Sequence, residues 1–337
     1  MRAANPFASP EWHEAWLATH PEDRPAVVAI RRDDGSLAGV VALVEKRHGR
    51  SPRLTAAGDA IADWFSPACA PEDEGEVAAA TAAVADRLVG HGTWRLDRCV
   101  RDGAWAGTFP GALPRGWSAL RSARQDVLGI VPLQEADALS AKARREARRL
   151  RRKLESERAG RVRMSEGPEE AARDIDALLA LHAGRWGEET FDRTQTEFQR
   201  RFARSAAERG WLRLWVAEAD GVMAGALCNW RVGTSTFSYI QSFDPEYARY
   251  GIGTILHADA TARARDEGCA EYNILRGEEG FKQKFAAGPR ALESFVVVRA
   301  RSAAGIASRG ALGALAAWRR LPEARREQAR RLLRRSG

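Results

Sequence analysis

Two copies of one hairpin pattern constrain the fold more than any other feature of the sequence. Residues 28–39 and residues 216–225 both contain Val-Ala, then Asp-Gly, then Ala-Gly. Asp-Gly is the favoured turn of a two-residue β-hairpin, because both of its residues tolerate positive φ values. Each hairpin follows a helical pattern and precedes further strand and helix patterns. We therefore expect two related halves in tandem, although two unrelated hairpins with the same favoured turn would also fit.

The length and composition of the chain agree with two globular halves. Its 337 residues exceed one average domain, and 45% of them are apolar while 29% are charged. No stretch reaches the roughly 18 uninterrupted apolar residues of a membrane-spanning helix. The first residues lack an apolar run of signal-peptide length, and the four cysteines are far apart. We expect a cytoplasmic protein with reduced cysteines, and neither cysteine nor histidine spacing predicts a metal site.

After the second hairpin, the sequence predicts a strand, a loop and a glycine-lined helix start. The β-prone run Thr236–Phe243 meets an Asp-Pro break, and Gly251 and Gly253 then open a helical pattern. Glycine lets a ligand approach the backbone, and the N–H groups and dipole at a helix start favour an anion such as pyrophosphate. By spacing alone, a glycine-rich turn fits equally well. The first hairpin is not followed by such a loop.

The positive charge of the chain is concentrated in two segments. The formal net charge is +8, but residues 140–158 hold nine Lys or Arg against three Glu, and residues 299–337 hold eleven Arg against two Glu. The remainder of the chain is therefore net acidic. Basic segments of this kind dock nucleic acid, anionic lipid or phosphorylated ligands, or they form a solvated helix face.

The order of the predicted elements and four short motifs resemble a known family. The motifs are Leu181-His-Ala-Gly-Arg-Trp186, Phe243-Asp-Pro-Glu-Tyr247, Gly251-Ile-Gly253 and Tyr272-Asn-Ile-Leu-Arg-Gly-Glu-Glu-Gly-Phe-Lys282. With the Arg-rich helix before them, they are similar to the Gcn5-related N-acetyltransferase (GNAT) family. More narrowly, they resemble the bacterial CelD-like acetyltransferases of cellulose or exopolysaccharide biosynthesis. The resemblance is best over residues 140–286 and extends to residues 1–125 only in layout.

This resemblance implies a fold and a division of the chain. The fold class is α/β in the α+β sense, with two tandem GNAT-like domains that each contain a mixed, mostly antiparallel sheet flanked by helices. Residues 1–125 are then a degenerate N-terminal domain. Residues 126–300 are the acyl-CoA-binding domain, which includes the basic helix 140–158, and residues 301–337 are an Arg-rich helical tail.

The resemblance also implies acetyl-CoA or another acyl-CoA as the cofactor. The residues expected to contact it are Ile240, Gln241, Ser242 and Phe243 at the strand edge for the pantetheine amides, and Arg249, Gly251, Ile252, Gly253 and Thr254 for the pyrophosphate. The sequence departs from the family pattern at Ala248, where Gln or Arg is usual, with Arg249 displaced by one position. It departs again at Asn273 and Phe281, where the related group has Asp and Tyr.

Glu278 and Glu279 are the candidate general bases of an acyl transfer. Adjacent carboxylates raise each other's pKa, which suits a base that acts near pH 7, but the same pair fits the cap of a short helix. Phe281 has no hydroxyl to protonate a leaving thiolate. The candidate acceptor-binding residues are Arg276, Lys282, His182, Arg185, Trp186 and Asp63. The two basic residues at 276 and 282 fit ion pairs equally well, and a histidine on an apolar helix face is commonly a core residue.

Three functions remain open at this point. The preferred hypothesis is an acyl-CoA-dependent acyltransferase, an N-acetyltransferase in its simplest form, which acts on an amine or hydroxyl of a small molecule or saccharide precursor. The second is an aminoacyl-tRNA-dependent peptidyl transferase of the Fem type, with helix 140–158 as its RNA contact. The third is a non-catalytic binding protein on a degenerate GNAT fold, whose C-terminal helix, residues 311–335, docks on an anionic surface.

Overall fold

The structure is a computed structural model that describes residues 5–48, 51–89, 92–122, 126–134, 139–187, 192–276 and 288–320. Within these residues, thirteen strands form one sheet. The strands are β1 (Arg24–Arg31), β2 (Leu37–His48), β3 (Ser51–Thr55), β4 (Ala68–Cys69), β5 (Thr93–Val100), β6 (Trp117–Arg121), β7 (Asp126–Pro132), β8 (Arg161–Met164), β9 (Leu212–Ala219), β10 (Val222–Val232), β11 (Ser235–Phe243), β12 (Glu271–Arg276) and β13 (Gly288–Arg299).

Helices flank this sheet on both faces. In the described residues they are α1 (Pro10–Thr19), α2 (Glu74–Ala83), α3 (Ala85–Val89), α4 (Ala104–Thr108), α5 (Ala141–Arg158), α6 (Gly167–Trp186), α7 (Arg193–Glu208), α8 (Ile252–Asp266) and α9 (Ala303–Arg320). The predicted fold class, a mixed and mostly antiparallel sheet flanked by helices, is confirmed. None of the described helices is both long enough and apolar enough to cross a membrane.

The sheet runs through both halves of the chain without a break. Its order is β1-β2-β3-β5-β13-β7-β12-β11-β10-β9-β8, with β4 beside β2 and β6 beside β13. Strand β13 pairs with β7 through its first residues and lies between β5 and β6 through its later ones. Strand β7 in turn lies between β13 and β12. The last strand of the second half therefore completes the sheet of the first half.

Both predicted hairpins are present, but their turns differ. Ala219 pairs directly with Val222, and Asp220 and Gly221 have φ values of 51° and 82°, as a two-residue turn requires. In the first hairpin only Gly35 has a positive φ, and the wider loop is closed by the Arg32 N–H donating to the Ser36 carbonyl at 2.8 Å. The Asp-Gly signal thus located both turns, whereas the length of each loop depends on its neighbours.

Aromatic side chains of α1 join the two halves. The ring of Trp12 is fully buried, 4.7 Å from the ring centre of Phe198 and 5.1 Å from that of Phe202, both on α7. The helix starts where expected, because the Ser9 hydroxyl accepts the Trp12 N–H at 3.2 Å. The first helix of the chain therefore packs into the core of the second half.

Several local predictions need correction. The Gly, Pro and Trp residues of segment 101–125 predict a loop, yet its described part contains α4 and β6, since β6 is stabilised by pairing with the distant strand β13. The capping-box pattern Thr194-x-x-Glu197 predicts Thr194 as the N-cap of α7. The helix is capped instead by Asp192, whose carboxylate accepts the Gln195 N–H at 2.8 Å. Helix α9 begins at Ala303 instead of Ala311, and the tail beyond Arg320 lies outside the described residues.

Candidate functional site

Strands β11 and β12 separate in the middle of the sheet. They pair as parallel neighbours only from Ser235 to Phe237 of β11, opposite Glu271 to Asn273 of β12. Further along, β11 is paired on its β10 side only, while β12 continues against β7. One backbone edge of β11, over residues 238–243, therefore opens into a gap between two strands.

Bulges in both strands produce this separation. In β11, the register against β10 shifts between Ser238 and Ile240. In β12, the register against β7 shifts next to Leu275, which has a φ of 60° and donates its N–H to the Asn273 side-chain oxygen at 2.9 Å. A bulge bends its strand and increases the local twist, so the two strands diverge. Asn273 thus has a structural role in the bulge.

The predicted glycine loop lies at the end of β11. The Asp244 carboxylate accepts the Glu246 N–H at 2.9 Å, a 3₁₀ turn follows, and Gly251 has the left-handed φ of 61° that lets α8 begin at Ile252. No side chain caps α8. The N–H groups of Gly251 and Thr254 are used within the loop, whereas those of Ile252 and Gly253 have no acceptor among the described residues. Of the N–H groups that the sequence offers for an anion at residues 251–254, only those of Ile252 and Gly253 therefore remain as donors in the described structure.

Both glycines of the loop are required by close packing. A Cβ on Gly251 would lie 2.7 Å from a methyl carbon of Leu150, because α5 packs on the loop. A Cβ on Gly253 would collide with the side-chain amide of Gln241 on β11. The loop is therefore held between α5 on one side and the open strand on the other.

A row of hydrogen-bonded polar side chains lies beneath the start of α8. Nε2 of His257 is 3.0 Å from Oε1 of Gln241, and Nδ1 of the same ring is 2.8 Å from the Tyr272 hydroxyl. The Asn229 amide donates to that hydroxyl at 3.4 Å. His257, Tyr272 and Asn229 are buried. Sequence analysis did not single out these three residues, because each lies in an otherwise apolar stretch of its element.

Helix α6 places two predicted acceptor-binding residues on the other side of β11. His182 forms a hydrogen bond with the backbone of Gln241, and burial lowers its pKa. The Arg185 guanidinium lies 3.9 Å from the ring centre of Phe243, and burial lowers its pKa as well. The Trp186 side chain lies outside the described part. Two predicted acceptor residues and two predicted cofactor residues thus meet at the end of β11.

A second pair of predicted residues meets across the junction of the two halves. Arg276, at the end of β12, forms an ion pair with Asp63 of the first half at 2.5 Å. The Tyr239 hydroxyl donates to the carbonyl of Ile61 in the same loop at 3.3 Å and accepts from the Gln199 amide at 3.2 Å. The ion-pair interpretation of Arg276 is thus realised, with Asp63 as a partner. The loop of the first half forms one wall beside the gap.

The remaining predicted residues are placed differently. Ile240 is a core residue, and Ser242 is fully buried with a hydroxyl that has no partner among the described residues. Arg249 turns toward α5, where it donates to the Tyr250 hydroxyl at 2.6 Å and approaches Glu157 at 3.7 Å. Glu278, Glu279 and Lys282 lie outside the described residues. No cluster of metal-ligating side chains occurs within residues that the structure describes.

Comparison with known proteins identifies part of the chain. Residues 141–283 match the model of the acetyltransferase (GNAT) domain family. No curated protein matches the sequence. Among solved structures, the chain is similar to FemX with a TM-score of 0.62 at 12% identity, over 88% of this chain and 92% of that one. It is also similar to L-PGS from Bacillus licheniformis, with a TM-score of 0.54 at 13% identity, over 91% and 96% of the two chains.

A third similar structure is the C-terminal domain of a putative lysylphosphatidylglycerol synthetase from Agrobacterium fabrum. Its TM-score is 0.55 at 14% identity, over 89% of this chain and 91% of that one. At such identities the likeness concerns the fold alone, and it extends over both halves. The glycine loop, the open strand and the polar row all fall in the matched region. Over residues 141–283 the second half of the chain is therefore similar to the acetyltransferase (GNAT) domain family.

Proposed function

We propose that the protein is an acyltransferase that takes its acyl group from acetyl-CoA or another acyl-CoA. The observation that carries this proposal is the gap between β11 and β12, which leads to the uncapped start of α8. The gap exposes the edge of β11 at residues 240–243, where alternate residues direct their backbone groups away from β10, and the helix offers the N–H groups of Ile252 and Gly253. An extended chain with amide groups and a diphosphate at one end fits both features.

The residues present fit such a cofactor in shape as well as in charge. Glycine at 253 lets the Gln241 amide lie against the first helical turn, and the helix dipole adds positive potential there. When bound, an acyl-CoA supplies an activated thioester. The chain itself would bind the diphosphate, align the amide-bearing arm along β11 and hold the acceptor nearby. Backbone N–H groups at the open edge are suited to stabilise negative charge on a carbonyl oxygen.

The acceptor would enter from the side of the first half. That side contains the Asp63–Arg276 pair, and His182 and Arg185 lie at the end of β11. Polar and charged groups of both signs suit an amine or hydroxyl on a small molecule or saccharide precursor, as in the CelD-like group. We assign deprotonation of the acceptor to Glu278 or Glu279, which follow β12 in the sequence. A cytoplasmic location and the domain division at residues 125 and 300 belong to the same proposal.

Binding of CoA to a variant of Gly253 tests the site. In Gly253→Trp the new side chain collides with Gln241 beside the first turn of α8, so we expect at least a tenfold loss of CoA affinity by calorimetry. Gly310→Trp is the matched control, because a Cβ at Gly310 meets no atom within 4 Å. Thermal unfolding of both variants monitors their folding. Tight CoA binding by Gly253→Trp would refute the site, and a wild type that binds no CoA would refute the function.

A second candidate function is aminoacyl transfer from tRNA, and it is favoured by the outer face of α5. Arg148 and Arg152 are exposed there and pair with no described residue. Arg148 also borders a groove of about 310 Å³ between α5 and α8. The groove is lined by Arg144, Arg151 and Arg265 as well, with Asp259, the ion-pair partner of Arg151, and Asp266. Clustered arginines on one face bind a nucleic-acid backbone. The fold shared with FemX over most of the chain agrees with this alternative.

Salt-dependent binding of tRNA separates the two candidates. For the aminoacyl transferase, we expect tRNA affinity that falls steeply with salt and is reduced at least tenfold by the double variant Arg148→Glu/Arg152→Glu. Arg173→Glu/Arg204→Glu changes the charge equally on α6 and α7, where both residues are exposed, and serves as control. Absence of tRNA binding at low salt, together with CoA-dependent acylation of an amine, would exclude this candidate.

A further inference from the structure

Gln241 is held from both faces of the sheet. On one face, His182 of α6 bonds to its backbone. On the other face, its side chain reaches the first turns of α8 and bonds to His257. The residue belongs to the open part of β11, so it lies where the gap between strands meets the helix start. Few side chains in the described structure are fixed so closely to the proposed site.

The hydrogen bonds of the polar row define the orientation of the Gln241 amide. Its Oε1 atom can only accept, so Nε2 of His257 is the donor in the 3.0 Å bond between them. The other ring nitrogen then accepts the proton of the Tyr272 hydroxyl at 2.8 Å. Burial raises the pKa of Tyr272, which keeps that hydroxyl protonated. Asn229 completes the row by donating to Tyr272 at 3.4 Å.

This orientation directs the NH₂ group of Gln241 at the start of α8. Its Nε2 atom occupies the space that a Cβ on Gly253 would need. The same turn presents the N–H groups of Ile252 and Gly253, which have no acceptor among the described residues. The His257 bond engages the oxygen of this amide, which leaves its NH₂ group beside the helix start. This group and the N–H groups of Ile252 and Gly253 are hydrogen-bond donors, and an anionic oxygen is the partner that fits them.

We propose that the side-chain amide of Gln241 donates a hydrogen bond to a phosphate oxygen of the cofactor, and that His257 is its positioning residue. This inference rests on the proposed function, and it names a side-chain contact that the family pattern does not. The usual phosphate-binding side chain of that pattern is absent here, since Ala248 stands in its place. Gln241 supplies a donor from the strand in place of one from the loop.

Calorimetric titration with CoA tests the role of Gln241. A hydrogen bond to a charged group contributes enough that its removal in Gln241→Ala should weaken CoA binding by about tenfold or more. The loss should be the same for 3′-dephospho-CoA, because the contact is to the diphosphate. Thr261→Ala is the control, since it removes a buried hydroxyl one turn along α8 that bonds only to a backbone carbonyl. We expect that control to bind CoA as the wild type does.

Rescue by a conservative variant tests the positioning role of His257. His257→Leu should lose the same factor as Gln241→Ala, and the double variant should lose no more than either single one. His257→Gln should recover most of the affinity, because its amide N–H can replace the donor at Nε2. In ¹⁵N spectra, the proton that this bond requires should be found on Nε2 of the His257 ring. Circular dichroism and thermal unfolding establish that each variant is folded.

The outcomes separate this inference from the function on which it rests. CoA binding by Gln241→Ala equal to that of the wild type would overturn the inference and leave the proposed function standing. Failure of His257→Gln to recover affinity in a folded protein, or a ring protonated at Nδ1, would overturn the positioning role. A wild type that binds neither CoA nor 3′-dephospho-CoA would overturn the proposed function itself.

Discussion

The two parallel strand pairs of the sheet occupy corresponding places in the two halves, but they end differently. Strands β3 and β5 follow the first hairpin, and β11 and β12 follow the second. The second strand of each pair contains a residue with positive φ, Arg98 at 63° in β5 and Leu275 at 60° in β12. The same bulged framework is thus built twice.

The residue with positive φ differs between the two halves, and so does the space beside its strand. The Arg98 guanidinium donates to the carbonyl oxygens of Asp59, at 2.7 Å, and Ala62, so it ties the loop that follows β3 onto β5. Phe65 of the same loop bridges to Cys99. The Leu275 side chain cannot donate hydrogen bonds to a loop, and the strands of the second half remain apart. A gap therefore exists in one half and is filled in the other, which agrees with the presence of the glycine loop in the second half alone.

The largest expected effect comes from removing the side chain that closes the first half. Arg98→Met leaves buried carbonyl oxygens without a donor and takes away the cation near Asp126, which is 3.8 Å from the guanidinium. We expect the free energy of unfolding to fall by about 3–5 kcal/mol in urea denaturation. Exposed Arg115→Met should change it by less than about 0.5 kcal/mol. A loss below about 1 kcal/mol for Arg98→Met would mean that the guanidinium does not hold the loop.

A smaller effect is expected for the ion pair that joins the closed half to the open one. The Asp63 and Arg276 side chains are 12% and 21% exposed, so their 2.5 Å contact is only partly screened by water. A double-mutant cycle with Asp63→Asn and Arg276→Met should give a coupling energy of about 1–3 kcal/mol in unfolding experiments. The surface pair Asp176–Arg200, at 2.7 Å and about half exposed, should couple by less than about 1 kcal/mol. Equal coupling energies for the two pairs would show that burial at the junction does not strengthen the Asp63–Arg276 ion pair.

The smallest effect concerns the acid sensitivity of the closing loop. Burial alone would raise the pKa of Asp59. The charges of Lys46, 2.9 Å away, and of Arg53, with hydrogen bonds from Lys46 and Thr55, together outweigh burial and hold this pKa below the ordinary 3.8. The resulting stabilisation is present above that ordinary pKa and is lost as the pH falls through the lower folded-state pKa. Asp59→Asn should therefore reduce stability by about 1 kcal/mol at pH 7 and by less in acid.

Urea unfolding measured from pH 7 to pH 2.5 follows this effect. The curves of stability against pH for the wild type and Asp59→Asn should converge below about pH 4. Asp102→Asn changes the same chemical group at an exposed position and should leave the pH profile as it is in the wild type. A constant difference between Asp59→Asn and the wild type over the whole pH range would contradict the assignment.

Local signals in the sequence predicted most of the second half. Asp-Gly pairs locate hairpins because the turn needs positive φ, and Gly251 does lie in the left-handed region before α8. The polar row was not predicted, because hydrogen bonds from His257 to Gln241 and Tyr272 join residues on different elements. The contact between Asp63 and Arg276 was likewise not predicted, although each residue was a candidate for binding the acceptor. Periodicity locates elements, and it does not show which of their polar residues meet.

Long-range strand pairing limited the prediction of the first half. The segment 117–121 has no strong strand pattern, and it is extended because β13 pairs along it. The N-cap of α7 was misplaced for a different reason, since Asp192 and Thr194 are both good capping residues two positions apart.

The position of β13 makes the first half dependent on the second. Strands β5 and β6 do not pair with each other, and β13 supplies the neighbour of both. A fragment that ends at residue 125 would expose two unsatisfied strand edges, which are templates for aggregation. The second half, by contrast, keeps the neighbours of β12 and β13 that belong to it, because β7 and β11 also lie within residues 126–299. We therefore expect the first half expressed alone to precipitate, and the whole chain to lose both halves in one cooperative transition.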